Sequence, residues 1–170
     1  KLARRLEAAI DRRELPPKCD VICGFLGEVG ESTRFDSILY IDVLEHIERD
    51  AEQLQRSVPY LAKGGHLVVL APAHNWLFSP LDASIGHHRR YNKRMLRQIS
   101  PPGCTIVSMK YLDSLGLALS LANAVILRRS MPTPANISFW DRVVVPASRP
   151  IDFLLQSTVG KTIVAVWRRQ

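Results

Sequence analysis

Cysteine is scarce: Cys19, Cys23 and Cys104 are the only three in a chain of 170 residues. An odd count, with no further ligands spaced to complete a site around Cys19 and Cys23, excludes a disulfide framework and a structural zinc module. Reduced thiols of this kind belong to a cytoplasmic protein. Long apolar runs are missing too. The longest, residues 115–127, is interrupted by Ser120 and Asn123 and falls short of the roughly 20 residues needed to cross a bilayer. The opening KLARRLEAAI has no apolar core of a signal peptide. No basic run is interleaved with aromatics, which argues against a nucleic-acid groove. No strand–GxGxxG–helix unit occurs, which disfavours a nicotinamide-dependent oxidoreductase. There is no internal repeat and no low-complexity tract.

What remains is an ordinary soluble composition, 46% hydrophobic and 23% charged, in a length that suits one domain spanning residues 1–170. The net charge of +7 is spread over arginine pairs such as Arg4-Arg5, Arg89-Arg90 and Arg168-Arg169. A basic surface concentrates anions, so phosphate, anionic headgroups or an anionic substrate are the partners it favours.

Hydrophobic patterning predicts alternating elements. Residues 1–13 have helical spacing and are stopped by Pro16-Pro17. CDVICGFL (19–26) reads as a buried strand, and FDSILYID (35–42) as a second, with the near-continuous apolar core of a parallel strand covered on both faces. A helix is predicted from about Val43 or Glu48 through Leu61, closed by Lys63-Gly64-Gly65. HLVVLA (66–71) is the next strand. Residues 74–92 have no clean period and follow a strand's C-terminal end, where open α/β sheets bind ligands. Then come a helix at 93–99, an extended segment at 104–111, an apolar helix at 114–128, a loop with Pro132 and Pro134, and a final strand, TIVAVWR (162–168). Trp140-Asp141-Arg142 and Trp167 read as packing and surface anchors. The fold class is α/β, a doubly wound, mostly parallel sheet.

FDSILYIDVLEHI, a helix, and LAKGGHLVVLAPA resemble, in order and spacing, the fourth and fifth strands of class I S-adenosylmethionine-dependent methyltransferases. HNWLFSPLDASIGHHRRYNKRML and the closing GKTIVAVWRR resemble a bacterial type 11/12-like branch of that family. The resemblance runs from about Asp20 to the end and implies a Rossmann-like fold, S-adenosylmethionine as cofactor and methyl transfer to a small-molecule acceptor. Three departures stand against it. The glycine-rich turn after the family's first strand is absent, since GFLGEVG (24–30) has the wrong spacing, and so is the acid that holds the ribose hydroxyls. Phe25 stands where many members carry an Asp for the adenine amine. The expectation is therefore a chain truncated at the N-terminal side, lacking the first cofactor-binding βαβ unit. Its open sheet edge leads to the expectation of a homodimer, a preceding segment or a rearranged N-terminus covering that edge.

Under this resemblance Asp42, Val43 and Leu44 lie at the cofactor. His46 and His87 are the candidate catalytic residues, imidazole being the side chain ordinarily suited to proton removal near neutrality. Asp42 also suits a helix cap, and Glu45 is explained by the helix dipole alone. Asp42-x-x-Glu45-His46 further resembles the acid-x-x-Glu-His cluster of metal-dependent small-RNA and quinone methyltransferases, with His87 as their additional His. Similar text is common without a metal, and none is assigned. His74, Trp76, His88, Arg90 and Tyr91 are expected at the acceptor. A loop with two His, two Arg and a Tyr can hold a carboxylate or phosphate, or lock itself through an ion pair such as Arg90 with Asp82. The apolar helix is a core helix or a lip against a lipid-like substrate or membrane surface, without spanning it. The alternative function is a catalytically silent methyltransferase-like module acting through a partner chain.

Overall fold

The computed structural model describes Arg12, Ile22, residues 24–122 and residues 138–170. The predicted helix at 1–13 (Arg12 apart), half of the predicted strand at 19–26, the end of the apolar helix and the Pro132–Pro134 loop lie outside the described residues. The chain divides into two compact units, Lys1–Thr33 and Arg34–Gln170. Among the described residues of the first, the one regular element is a 3-10 turn, Leu26–Glu28. Leu26 thus opens a turn instead of ending a strand, and the Phe25 side chain is exposed.

The second unit carries a four-stranded sheet of β1 (Phe35–Ile41), β2 (Leu61–Pro72), β3 (Cys104–Leu112) and β4 (Thr162–Arg169), in the order β1-β2-β4-β3. β1 and β2 are parallel, with Ile38 opposite Leu67. β4 is antiparallel to both β2 and β3, with Val69 opposite Ala165 and Ile106 opposite Trp167. The helices are α1 (Asp50–Ser57), α2 (Pro80–Ser84), α3 (Lys93–Gln98), α4 (Ser114–Ala122) and α5 (Val145–Leu154), the last preceded by a π-helical turn at Trp140–Val144. No described helix is long and apolar enough to cross a membrane.

The core forms where alternate residues of β2 (Leu61, Leu67, Val69, Ala71) meet Ile163, Ala165 and Trp167 of β4, with Leu54 of α1 and Leu96 of α3 packed on them. The two-residue period of a strand puts every second side chain on one face, and β2 follows it. β1 follows it only in part. Tyr40 is buried, but Leu39 is 59% exposed and Ile41 is exposed as well, so one face is open where the sequence predicted cover on both.

The helix after β1 is shorter than predicted. Pro59 opens a 3-10 turn at Val58–Tyr60, because proline cannot continue an α-helix that needs its amide. Lys63-Gly64-Gly65 therefore does not cap a helix. It forms an irregularity inside β2, where Phe35 pairs with Leu61 but Ser37 pairs with His66. Gly64 has φ +77, and a Cβ on Gly65 would stand 3.0 Å from the Asp36 carbonyl; only glycines fit this crossing of β1.

Candidate functional site

β1 and β2 run parallel, so their C-terminal ends open on one edge of the sheet. Asp42 and His74 follow those ends, and both lie in the left-handed region, at φ 50 and φ 65. Non-glycine residues held there are strained and cluster at functional sites. After Asp42 comes a 3-10 turn, Leu44–His46, not the start of a longer helix. Leu44 is buried in the core and anchors the turn. Glu45 is consequently directed inward at 0% exposure, while His46 stays exposed. The dipole explanation of Glu45 fails, because a three-residue turn has almost no dipole and the side chain is buried.

The second half of the site comes from residues 79–91. Ser79 caps α2: its backbone N–H and its Oγ–H donate to Asp82 Oδ2 at 2.8 and 2.7 Å. Asp82 also accepts from Arg90 through Nε to Oδ1 and Nη2 to Oδ2, both at 3.0 Å, and from His87 Nδ1–H at 2.9 Å. Burial pushes this carboxyl up, but the hydrogen bonds from Arg90, Ser79 and His87 outweigh it and hold its pKa at about 2. Asp82 is thus an ionised acceptor, so His87 carries its proton on Nδ1. In the neutral ring the Nε2 lone pair is then free, 3.8 Å from Glu45 Oε1.

His46 is oriented in the same way. Its Nδ1–H donates to the Gly86 carbonyl at 3.2 Å, and Gly86 turns the chain at φ +85 to present that oxygen. The two imidazoles meet edge to face with centroids 4.6 Å apart. One ligating atom each from Glu45, His46 and His87 lies within 4.8 Å of the others. Neither Glu45 carboxylate oxygen has a hydrogen-bond partner among the described residues. Burial raises the Glu45 pKa, and the charge of Asp42 adds to this, against its own backbone amide and the two imidazoles. Burial likewise raises Asp42, with His87 and His46 opposing.

The 87–91 loop is tied to the fold on its other side. Arg89 donates to Asp50 Oδ2 at 2.6 Å and to the Glu48 carbonyl. Tyr91 is fully buried and its hydroxyl shares its one proton between Asp50 Oδ2 (2.8 Å) and the Leu44 carbonyl (3.1 Å). Of the expected acceptor residues, Arg90 sits beside the cluster with its fork on Asp82, which is the locking ion pair rather than a fork turned to a ligand. His88 is exposed and its backbone N–H donates to the Glu45 carbonyl. His74 Nε2–H donates to the Gly160 carbonyl at 3.0 Å, so Nε2 carries the proton. Its ring stacks on Tyr111 at 4.9 Å, near Trp76, itself 62% exposed. Burial lowers the His74 pKa, with Arg90 adding to it against the Gly160 hydrogen bond. Val43 is exposed and Leu44 is not.

The sequence had not singled out Asp82 as a hub, nor Asp50, Tyr111 or Lys161. Ser79-Pro80-x-Asp82 is legible as a cap. Lys161, whose ammonium lies 4.1 Å from the Trp140 ring centroid, has a pKa lowered by burial and by Arg90, with Asp113 and Asp82 opposing.

No family model matches the chain, and no curated protein does. Solved structures do. The chain is similar to the N-methyltransferase NodS of Bradyrhizobium japonicum WM9, solved with S-adenosyl-L-homocysteine, at 16% identity over 98% of this chain and 62% of that one, TM-score 0.50. It is similar to a protein of Galdieria sulphuraria assigned as a sarcosine dimethylglycine methyltransferase, at 17% identity over 98% and 65%, TM-score 0.60. It is also similar to the (4+2)-cyclase SpnF, at 15% identity over 96% and 60%, TM-score 0.57. The chain therefore has the Rossmann-like α/β fold of class I methyltransferases, and it spans between 60% and 65% of the length of these structures. A cyclase among them means that the fold alone does not name a reaction.

Proposed function

We propose that this chain supplies the acceptor side of an S-adenosylmethionine-dependent methyl-transfer site working on a hydroxyl or carboxylate of a small molecule. The observation that carries the reading is the grouping of Glu45, His46 and His87, with Asp42 within reach of both imidazoles' charges, where two adjacent parallel strands end. That is the crevice where sheets of this kind bind ligands. S-adenosylmethionine, when bound, supplies an electrophilic methyl carbon on a sulfonium. Asp42 and Val43 are the exposed side chains of this chain suited to it, one carboxylate and one apolar contact beside the strand end. Leu44 offers no side-chain surface, and its carbonyl is taken by Tyr91.

The chain's own residues have three tasks under this reading. His87 offers Nε2 as the proton acceptor for the attacking oxygen, with Asp82 fixing the tautomer and stabilising the imidazolium that results. His46, exposed and held by Gly86, orients the acceptor from the other side. His74, Trp76 and Tyr111 make an aromatic wall beyond Arg90. Calorimetric titration of the chain with S-adenosylhomocysteine tests the proposal. Micromolar binding by the chain, weakened by Asp42→Ala, would remove the silent-module reading; no binding even with a partner chain present would overturn the proposal.

A further inference from the structure

We infer that Lys161 is an anion anchor at the acceptor side of the site, taking a carboxylate or phosphate carried by the small molecule bound there. The first observation is topological. β4 is antiparallel to β2 and β3, with Thr162 opposite both Pro72 and Leu112. Lys161, one residue before β4, therefore stands at the edge where β1 and β2 end, the ligand-binding edge of a sheet of this kind. Its backbone is pinned there. Its N–H donates to the Asp113 carbonyl at 3.1 Å, and its carbonyl accepts from Ala73 N–H at 2.7 Å.

The second is an ammonium without a counter-ion. Lys161 is half-buried, and among the described residues its ammonium has neither an ion-pair nor a hydrogen-bond partner. It lies 4.1 Å from the centroid of the Trp140 ring. A ring face attracts a cation, but an ammonium has three donors and the ring meets it on one side only. The two carboxylates whose charges act on it are already engaged. Asp113 Oδ1 accepts from Gly116 N–H at 2.9 Å and faces the Ser148 hydroxyl at 2.8 Å, while Oδ2 accepts from Trp140 Nε1–H at 3.1 Å. Asp82 is held by Arg90, Ser79 and His87. Burial lowers the Lys161 pKa, and the charge of Arg90 adds to this against Asp113 and Asp82, so positive charge is in excess here.

The third is the surroundings. His74 donates to the carbonyl of Gly160, the residue before Lys161, and its ring stacks on Tyr111 near Trp76. Lys93, 5.0 Å from the Tyr111 ring centroid, adds positive charge to the same wall. Trp140 opens a π-helical turn, a distortion frequent at functional positions. A cation among aromatic faces suits an anionic group on a flat, apolar body: the rings pack the body and the ammonium meets the charge. Arg90 cannot take this part while its fork is closed on Asp82. The inference rests on the acceptor-side reading only for treating the ligand as a substrate; binding is measured without any methyl donor.

The test is titration of the full chain with benzoate, phenyl phosphate and their neutral analogue benzyl alcohol. At least one anion should bind about tenfold tighter than the alcohol, and the tighter of the two tells a carboxylate site from a phosphate one. Lys161→Met should remove that preference and Lys161→Arg should keep most of it. Lys110→Met, exposed on β3, should leave it unchanged. A purely structural contact between ammonium and ring would not distinguish the anions from the alcohol. If Lys161→Met does not fold, NMR of isotopically labelled lysine Cε in the parent chain decides. The signal that Lys161→Arg removes, displaced by the Trp140 ring current, should move with the anions and not with benzyl alcohol. Equal affinity for all three compounds, no binding of any, or a preference that survives Lys161→Met would overturn the anchor. Anion preference without S-adenosylhomocysteine binding would sink the methyl-transfer reading alone; the reverse would sink the anchor alone.

Discussion

Asp82 holds His87 and Arg90 at once: Oδ1 accepts from His87 Nδ1–H at 2.9 Å and from Arg90 Nε at 3.0 Å. One carboxylate thereby sets a tautomer and neutralises a half-buried guanidinium. Its own position is set by the Ser79 cap at the start of α2. The site's geometry is thus inherited from a five-residue helix, and disturbing that helix's N-terminus should disturb the imidazole.

Removing Asp82 should show this. Asp82→Asn leaves Arg90 without its bidentate partner, and breaking a buried pair from one side destabilises by about 3–5 kcal/mol. Urea denaturation should report a loss at the lower end of that range, since Arg90 is not fully buried. Heteronuclear NMR of the His87 ring should show the Nδ1–H tautomer losing its preference. A stable variant with an unchanged tautomer would contradict the hub role.

Acid should weaken the folded chain in a defined window. The Asp82 pKa is held at about 2 against an ordinary 3.8, so between those values the unfolded state binds more protons. Stability then rises with pH there: the contribution is present above about 4 and is lost as pH falls toward 2. Asp42 and Glu45, both raised, have the opposite sign and lose their contribution as pH rises above the ordinary carboxylate range. Between pH 2.5 and 4.5 the urea midpoint of the parent chain should therefore fall relative to that of Asp82→Asn as acid is added, which isolates the Asp82 contribution from the opposing ones.

Much of this fold was legible because it depends on short-range patterning. β1, β3 and β4 follow apolar runs, and the stretch after β2 follows from where an open sheet binds its ligands. What failed required knowledge of neighbours. Gly64-Gly65 has the text of a helix end, yet the constraint is the close approach of β1 to β2, invisible without register. Glu45 has the text of a helix-start acid, and its burial appears only when Leu44 is packed in the core beneath it. Tyr91 and Asp50 are 41 positions apart, so the anchoring of the 87–91 loop to α1 could not be read from either segment.

Gly86 supplies a sharper check on His46. An alanine there faces the cost of the left-handed region, about 1–2 kcal/mol, at φ +85. Its Cβ would lie 3.7 Å from His46 Nδ1, an ordinary contact. The penalty is therefore conformational rather than steric. Gly86→Ala should lower the thermal midpoint by several degrees, and NMR of the His46 ring should show the Nδ1–H tautomer losing its preference as the carbonyl shifts away.

Trp167 tests the core independently of the site. It is fully buried opposite Ile106, and its Nε1–H donates to Ser100 Oγ at 2.9 Å. Truncation of a buried Trp to Ala costs about 3–5 kcal/mol through lost transfer energy and a residual cavity. Trp167→Phe should cost less, since the Ser100 hydroxyl loses the bond it accepts but keeps the one it donates to the Leu96 carbonyl. Neither variant should alter the His87 tautomer, which distinguishes a general loss of stability from damage to the Asp82 hub.

Glu45 measures the cost of its own burial. A buried carboxylate without a hydrogen-bond partner disfavours the folded state, and a neutral amide of the same shape is easier to bury. At pH 7, Glu45→Gln should therefore be as stable as the parent chain or more so, by about 1 kcal/mol. Thermal midpoints of both chains give the difference. A variant less stable than the parent would show that Glu45 is a structural partner of His87, whose Nε2 lies 3.8 Å from its Oε1.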